Sequence, residues 1–156
     1  MQQMKYATYG IVFQEIPDET TLAFDISNCP YRCEGCHSQF LWEDTGDILD
    51  NDIERFLEKY RGMITCVCFM GGNQCMEDLI YLINIVKSHN LKTALYTGEN
   101  DIQKVNELIP LLDYLKIGSY RADCGGLNKK TTNQIFYQID NSHLIDKTYL
   151  FQKEKK

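Results

Sequence analysis

The chain has 156 residues, 44% of them hydrophobic and 24% charged, which suits a single compact domain over residues 1–156 and excludes an intrinsically disordered chain. Sixteen Lys+Arg against 22 Asp+Glu leave a formal net charge of −6, which argues against nucleic acid and anionic membrane surfaces as partners. No run approaches the roughly 18 consecutive apolar residues of a membrane span, and Met1–Tyr6 carries no apolar signal core, so a cytoplasmic protein is expected.

Tyr6 to Ile16, rich in Tyr, Val, Ile and Phe, predicts an edge strand, and Pro17-Asp18-Glu19 a turn. Thr21 to Ser27 alternates, with Leu22, Phe24 and Ile26 on one face, and predicts the first well-placed strand. Asn51 to Arg61 predicts a helix, with Asn51 and Glu54 spaced as a capping box and Gly62 as its stop. Ile64 to Met70 is apolar on both faces, as in a buried parallel strand, and Gly71-Gly72 ends it. A helix is expected from about Met76 to His89 and a strand from Leu91 to Tyr96. A further helix marked by Ile102, Val105, Leu108 and Ile109 stops at Pro110, and a short strand runs from Tyr114 to Ile117. Asn141 to Phe151 could supply a last strand or helix. The alternation predicts an α/β fold, a mostly parallel sheet with crossover helices. A closed eightfold barrel needs about 250 residues, so a partial, incomplete βα barrel is the expected architecture.

Such folds carry their chemistry at the carboxyl ends of the parallel strands. Here the first of those ends runs into a cysteine loop, the second into Gly71-Gly72-Asn73, the third into Thr97-Gly98-Glu99 and the fourth into Gly118-Ser119-Tyr120. Seven cysteines are present, an odd number, and reduced thiols are expected. Cys29, Cys33 and Cys36 fall within eight positions, spaced C-x3-C-x2-C, whereas Cys66, Cys68, Cys75 and Cys124 are scattered. Thiolates are soft ligands that suit iron–sulfur clusters and zinc. A structural zinc site is closed by four ligands, usually in two separated pairs. Here one tight loop offers three thiols, which on a four-iron cluster leaves one iron open. Zinc with His37 as fourth ligand is the structural alternative. Cys66 and Cys68 share one face of a buried strand and read as small hydrophobic filler.

The C-x3-C-x2-C loop just after the first strand resembles the signature of the radical S-adenosylmethionine (SAM) enzymes, and Gly71-Gly72 resembles their glycine-rich SAM-binding motif. Within that superfamily the chain is most similar to the activases of anaerobic ribonucleoside-triphosphate reductases. It is short, Gly35 precedes the third cysteine, and Leu115-Lys116-Ile117-Gly118-Ser119-Tyr120 with Gly126-Leu127 and Thr131-Thr132-Asn133-Gln134 looks like their late region. The resemblance covers about Thr21 to Gln138. One departure is plain: the family's glycine motif usually continues with Glu or Asp, and here Asn73 and Gln74 follow.

The resemblance implies a radical-SAM-type partial barrel in which Cys29, Cys33 and Cys36 hold a [4Fe–4S] cluster. It places Gly35, Cys36 and His37 along the SAM adenine, and Gly71, Gly72 and Asn73 near its amino acid end. Thr97 and Gly98 come as a further contact, and no catalytic residue is implied beyond the cluster ligands. The implied activity is reductive cleavage of SAM to a 5′-deoxyadenosyl radical that makes a glycyl radical on the partner reductase. A flavodoxin- or ferredoxin-type protein would donate the electron. Two alternatives stand beside this reading. One is another small radical SAM enzyme, such as a pyruvate formate-lyase-type activase. The other is a non-enzymatic iron–sulfur or zinc module.

Overall fold

The computed structural model describes residues 3–27 and 45–152. The predicted ligands Cys29, Cys33 and Cys36, together with Gly35 and His37, lie outside the described residues, as does the lysine-rich tail. Among the described residues eight strands form one sheet: β1 (Lys5–Val12), β2 (Thr21–Ile26), β3 (Asp47–Ile48), β4 (Cys66–Met70), β5 (Lys92–Tyr96), β6 (Tyr114–Ile117), β7 (Ile135–Asp140) and β8 (His143–Asp146). Their order in the sheet is β3-β1-β2-β4-β5-β6-β7-β8, so the sheet is open, with β3 and β8 at its edges. Helix α1 (Leu49–Lys59) precedes β4, α2 (Met76–Ser88) joins β4 to β5, and a 3₁₀ helix, Ile102–Leu111, joins β5 to β6. The fold is α/β. No helix among the described residues is long and apolar enough to cross a membrane.

The expectation of a mostly parallel sheet is corrected to a mixed one. β2, β4, β5 and β6 are parallel neighbours, whereas β3–β1, β1–β2, β6–β7 and β7–β8 are antiparallel. The connections explain this. A parallel crossover needs about a dozen residues or more, and the chain between Val12 and Thr21 is shorter. β7 and β8 are joined by Asn141-Ser142 alone, both with positive φ (49° and 65°), the conformation of a type I′ hairpin. β7 itself was not expected from the sequence. β1 is not an edge strand, because the two-residue β3 pairs on its outer side.

Two helix boundaries also differ from expectation. The Asn51–Glu54 capping box is not formed: α1 begins two residues earlier, with Ile48 at its N-cap and no side-chain cap. The Met4 carbonyl accepts the Leu49 amide at 2.9 Å and satisfies an orphan donor, while Glu54 turns to His89 Nε2 at 2.9 Å. Pro110 lies inside the third helix rather than ending it. The last turn closes beyond it through the Leu112 amide on the Leu108 carbonyl at 3.1 Å, a bond the proline does not have to supply.

Strand alternation divides the core into two layers. Leu22, Phe24, Ile26, Val67, Phe69, Leu95 and Leu115 pack with the apolar stripes of α1 and α2. The Phe24 ring lies 6.3 Å from Phe69 and 5.5 Å from Phe56. Tyr6 closes this layer by donating to Asp52 Oδ2 at 2.5 Å; burial and that carboxylate push its hydroxyl up to about 12. The opposite face is smaller: Ala23, Cys66, Cys68 and Ala94 form a shallow seat filled by Ile16, flanked by Tyr114 and Phe136. At the amino end of the parallel strands, buried Glu19 pairs with Lys92 at 3.1 Å.

Phe69→Ala removes a fully buried ring between the sheet and its helices and should cost about 3–5 kcal/mol. Cys68→Ala, on the thinner face, should cost about 1 kcal/mol. Urea unfolding midpoints measure both, and equal losses would contradict this division of the core.

Candidate cofactor-binding mouth

The carboxyl ends of the four parallel strands lie side by side, as the register of β2, β4, β5 and β6 requires. After Met70 the chain passes through Gly71 and Gly72, both at φ +104°, a left-handed conformation that favours glycine. The Gly71 amide donates to the Tyr96 carbonyl at 2.7 Å, which ties this turn to the end of β5. A short 3₁₀ turn, Asn73–Cys75, then leads into α2.

Sequence reasoning placed Gly71, Gly72, Asn73 and Thr97 at one site, and the structure brings them together. Thr97 Oγ1 donates to Asn73 Oδ1 at 2.8 Å and accepts the Glu99 amide at 3.1 Å. Gly98 is the residue spanned by the Thr97–Glu99 bond.

The expected role of the glycines is refined. A Cβ on Gly72 would meet Met4 Cε at 2.7 Å, and one on Gly71 would meet Ile26 Cβ at 3.5 Å. Both directions point into the apolar layer and not into the mouth. Backbone conformation therefore requires both glycines, packing against Met4 adds to the requirement at Gly72, and they shape the turn from behind.

Several residues to which sequence reasoning assigned no role complete the mouth. Gln74 Oε1 accepts the Gly72 amide at 3.2 Å while its Nε2 donates to the Ser27 carbonyl at 3.3 Å. That carbonyl closes β2 immediately before the cysteine-bearing segment. Lys116 Nζ donates to the carbonyls of Thr97 and Gly118, each at 3.3 Å, and stands 5.4 Å above the Tyr96 ring. Gly118 (φ +109°) could bear no side chain, since a Cβ would meet Gln134 Cα at 3.0 Å. Gln134 Nε2 donates to the Gly118 carbonyl at 3.2 Å and Asn133 Nδ2 to the Ser119 carbonyl at 2.9 Å. The late stretches 115–120 and 131–134 thus clasp one another. Their polar residue types were the available signal; the pairing across 14 to 16 residues was not readable from spacing.

The strand ends thus gather acceptors, the Asn73 amide oxygen and the carbonyls of Tyr96, Thr97 and Gly118, around one cation, Lys116. Burial pushes both the Cys66 and Cys68 thiols well up, away from the thiolate form a metal needs; Cys75 is buried at the start of α2, and Cys124 is half-buried. Among the described residues no group of three or more His, Cys, Asp or Glu side chains could hold a metal ion.

No protein-family model, no curated protein and no solved structure matches this chain.

Gly72→Ala should cost about 1–2 kcal/mol whether or not a ligand is present, because it forces a side chain into a left-handed conformation against Met4. Asn73→Ala leaves the turn's backbone intact but removes the acceptor of Thr97, for an expected loss of about 1 kcal/mol. Thermal unfolding without ligand checks both, and a neutral Gly72→Ala would remove the packing role of that glycine.

Proposed function

We propose that the protein is a radical SAM activase that generates a glycyl radical on an anaerobic ribonucleoside-triphosphate reductase. The carrying observation is the C-x3-C-x2-C run opening two residues after Ser27, the residue whose carbonyl Gln74 of the glycine turn grips. That bond brings the approach to the three-thiol loop alongside the turn that would receive the amino acid end of SAM. Cys29, Cys33 and Cys36 would hold a [4Fe–4S] cluster. Gly35, Cys36 and His37 would line the adenine, and Gly71, Gly72, Asn73, Thr97 and Gly98 would surround the methionine moiety. The open sheet, with parallel strands at its centre, is compatible with a partial radical-SAM-type barrel.

When bound, the reduced cluster and SAM supply the electron transfer that breaks the sulfonium S–C5′ bond and the radical that takes a hydrogen atom from a glycine Cα. This chain's residues bind and orient. Asn73 accepts from the ammonium of SAM without adding charge, where the family usually has a carboxylate. Lys116, held by two carbonyls, presents a positive charge to the carboxylate. Thr97 holds the Asn73 side chain in the orientation this requires, and the Gly118–Gln134 clasp fixes the far wall. A flavodoxin- or ferredoxin-type donor is the expected electron source.

Anaerobic reconstitution should load about four iron and four sulfide per chain, and the reduced protein should form 5′-deoxyadenosine from SAM. Cys33→Ala should abolish both, while Cys66→Ala should keep them. Asn73→Ala should weaken SAM about ten- to a hundredfold, and Asn73→Asp should hold or improve affinity. With the reductase present, electron paramagnetic resonance should show a glycyl radical. Stoichiometric zinc without iron, or a loaded cluster that never cleaves SAM, would overturn the reading in favour of a non-enzymatic module.

A further inference from the structure

Behind the glycine turn, three chain segments meet on two carboxyl groups that the proposed chemistry does not use. Asp78, in the first turn of α2, is fully buried, and its Oδ2 accepts the Met4 amide at 2.7 Å. Asp50, in the first turn of α1, takes the Gln3 side-chain amide on Oδ2 at 3.4 Å. The other oxygen of each, Oδ1, is buried without a hydrogen-bond partner, and Asp78 lies near enough to Asp50 to act on its protonation. Two such oxygens satisfy one another only if one of the carboxyl groups carries a proton to donate. Burial, then the nearby Asp78 carboxyl, push the Asp50 carboxyl up to about 6. Met4 links this pair to the mouth: its carbonyl holds the Leu49 amide, and its thioether occupies the space in which a Gly72 side chain would sit.

We propose that Asp50 and Asp78 form a proton-operated latch that clamps the N-terminal segment, the first turns of α1 and α2 and, through Met4, the glycine turn. With one shared proton the latch is closed; without it, the fully buried Asp78 carboxylate and the half-buried Asp50 carboxylate repel across the joint. The charged neighbours on each element are accounted for. On α1, Asp52 turns to Tyr6 and Arg55, and Glu54 turns to His89. On α2, Glu77 is exposed; Asp47 is exposed on β3; Lys5 on β1 is half-buried beside Met4. Asp78 is the charged group that acts on Asp50. A carboxyl whose pKa is raised on folding contributes most below its unfolded value near 4, and that contribution is lost as pH rises through about 6. The latch therefore tightens on acidification. Its influence on SAM binding rests on the function proposed above; the latch itself does not.

The test compares the full chain with Asp50→Asn, whose amide nitrogen donates to Asp78 Oδ1 at every pH. Between about pH 4 and 7 the variant's thermal midpoint should gain on the wild type's by about 2–6 °C. Amide exchange at Met4, Leu49 and Gly72, relative to core amides, should quicken with pH in the wild type alone. Parallel midpoint curves would overturn the latch. Should Asp50→Asn not fold, carbon NMR titration of the wild-type Asp50 and Asp78 carboxyls decides: one titrating near 6 supports the latch, and both near 4 overturn it. SAM titration of the reconstituted protein forms a separate arm. Failure to bind SAM at any pH sinks the activase reading and leaves the midpoint and NMR results to judge the latch.

Discussion

The double-glycine turn at the end of β4 sets the geometry of everything around it. Within a few residues the chain hydrogen-bonds the end of β5 through the Gly71 amide, the end of β2 through Gln74, and Thr97 through Asn73. It then enters α2, whose first turn carries the buried Asp78. Three strand ends and a helix start are thus tied by one segment, and that segment works only because both its glycines sit at φ +104°. A side chain at Gly72 would strike Met4, whereas one at Gly71 would only touch Ile26. The constraint is one of backbone conformation and apolar packing, and the polar mouth follows from it.

Much of this was legible in the sequence. The alternation of Leu22, Phe24 and Ile26 and the apolar run through Phe69 marked β2 and β4, because strands buried within a parallel sheet leave an unambiguous pattern. The convergence of Gly71–Asn73 with Thr97 followed from strand order alone. What escaped reading depended on partners far along the chain. The start of α1 is set by the Met4 carbonyl and not by the local Asn51–Glu54 pattern. β7 was missed because its partly buried Ile135–Asp140 alternation follows a polar run, and its partner β8 is exposed along its length. The type I′ turn at Asn141-Ser142 lacks the glycine that usually announces such a hairpin. The Asp50–Asp78 pair joins two helices whose surface charges otherwise look alike.

Cysteine stands in two contrasting sequence settings in this chain. On the smaller face of the sheet Cys66 and Cys68 are volume, small enough to leave a seat for Ile16, with burial holding their protons on. The clustered trio has the opposite pattern: close spacing in one segment, directly after a strand end. Composition counts all seven alike. Position relative to the sheet separates filler from candidate ligand.

The mixed topology also orders events in time. Both flanks of the sheet pair neighbours in sequence: β7 with β8 across two residues, and β1 with β2 across a short loop. Hairpins of this kind form on the microsecond scale. The centre is different, because β2 meets β4 only after the chain has closed around the whole cysteine-bearing segment, β3 and α1. Such non-local closure is the slow part of building a sheet. Residues 28–44 therefore ride on the largest loop that the central pairing must close, and the Ser27–Gln74 bond at the entrance to that loop belongs to the same slow step.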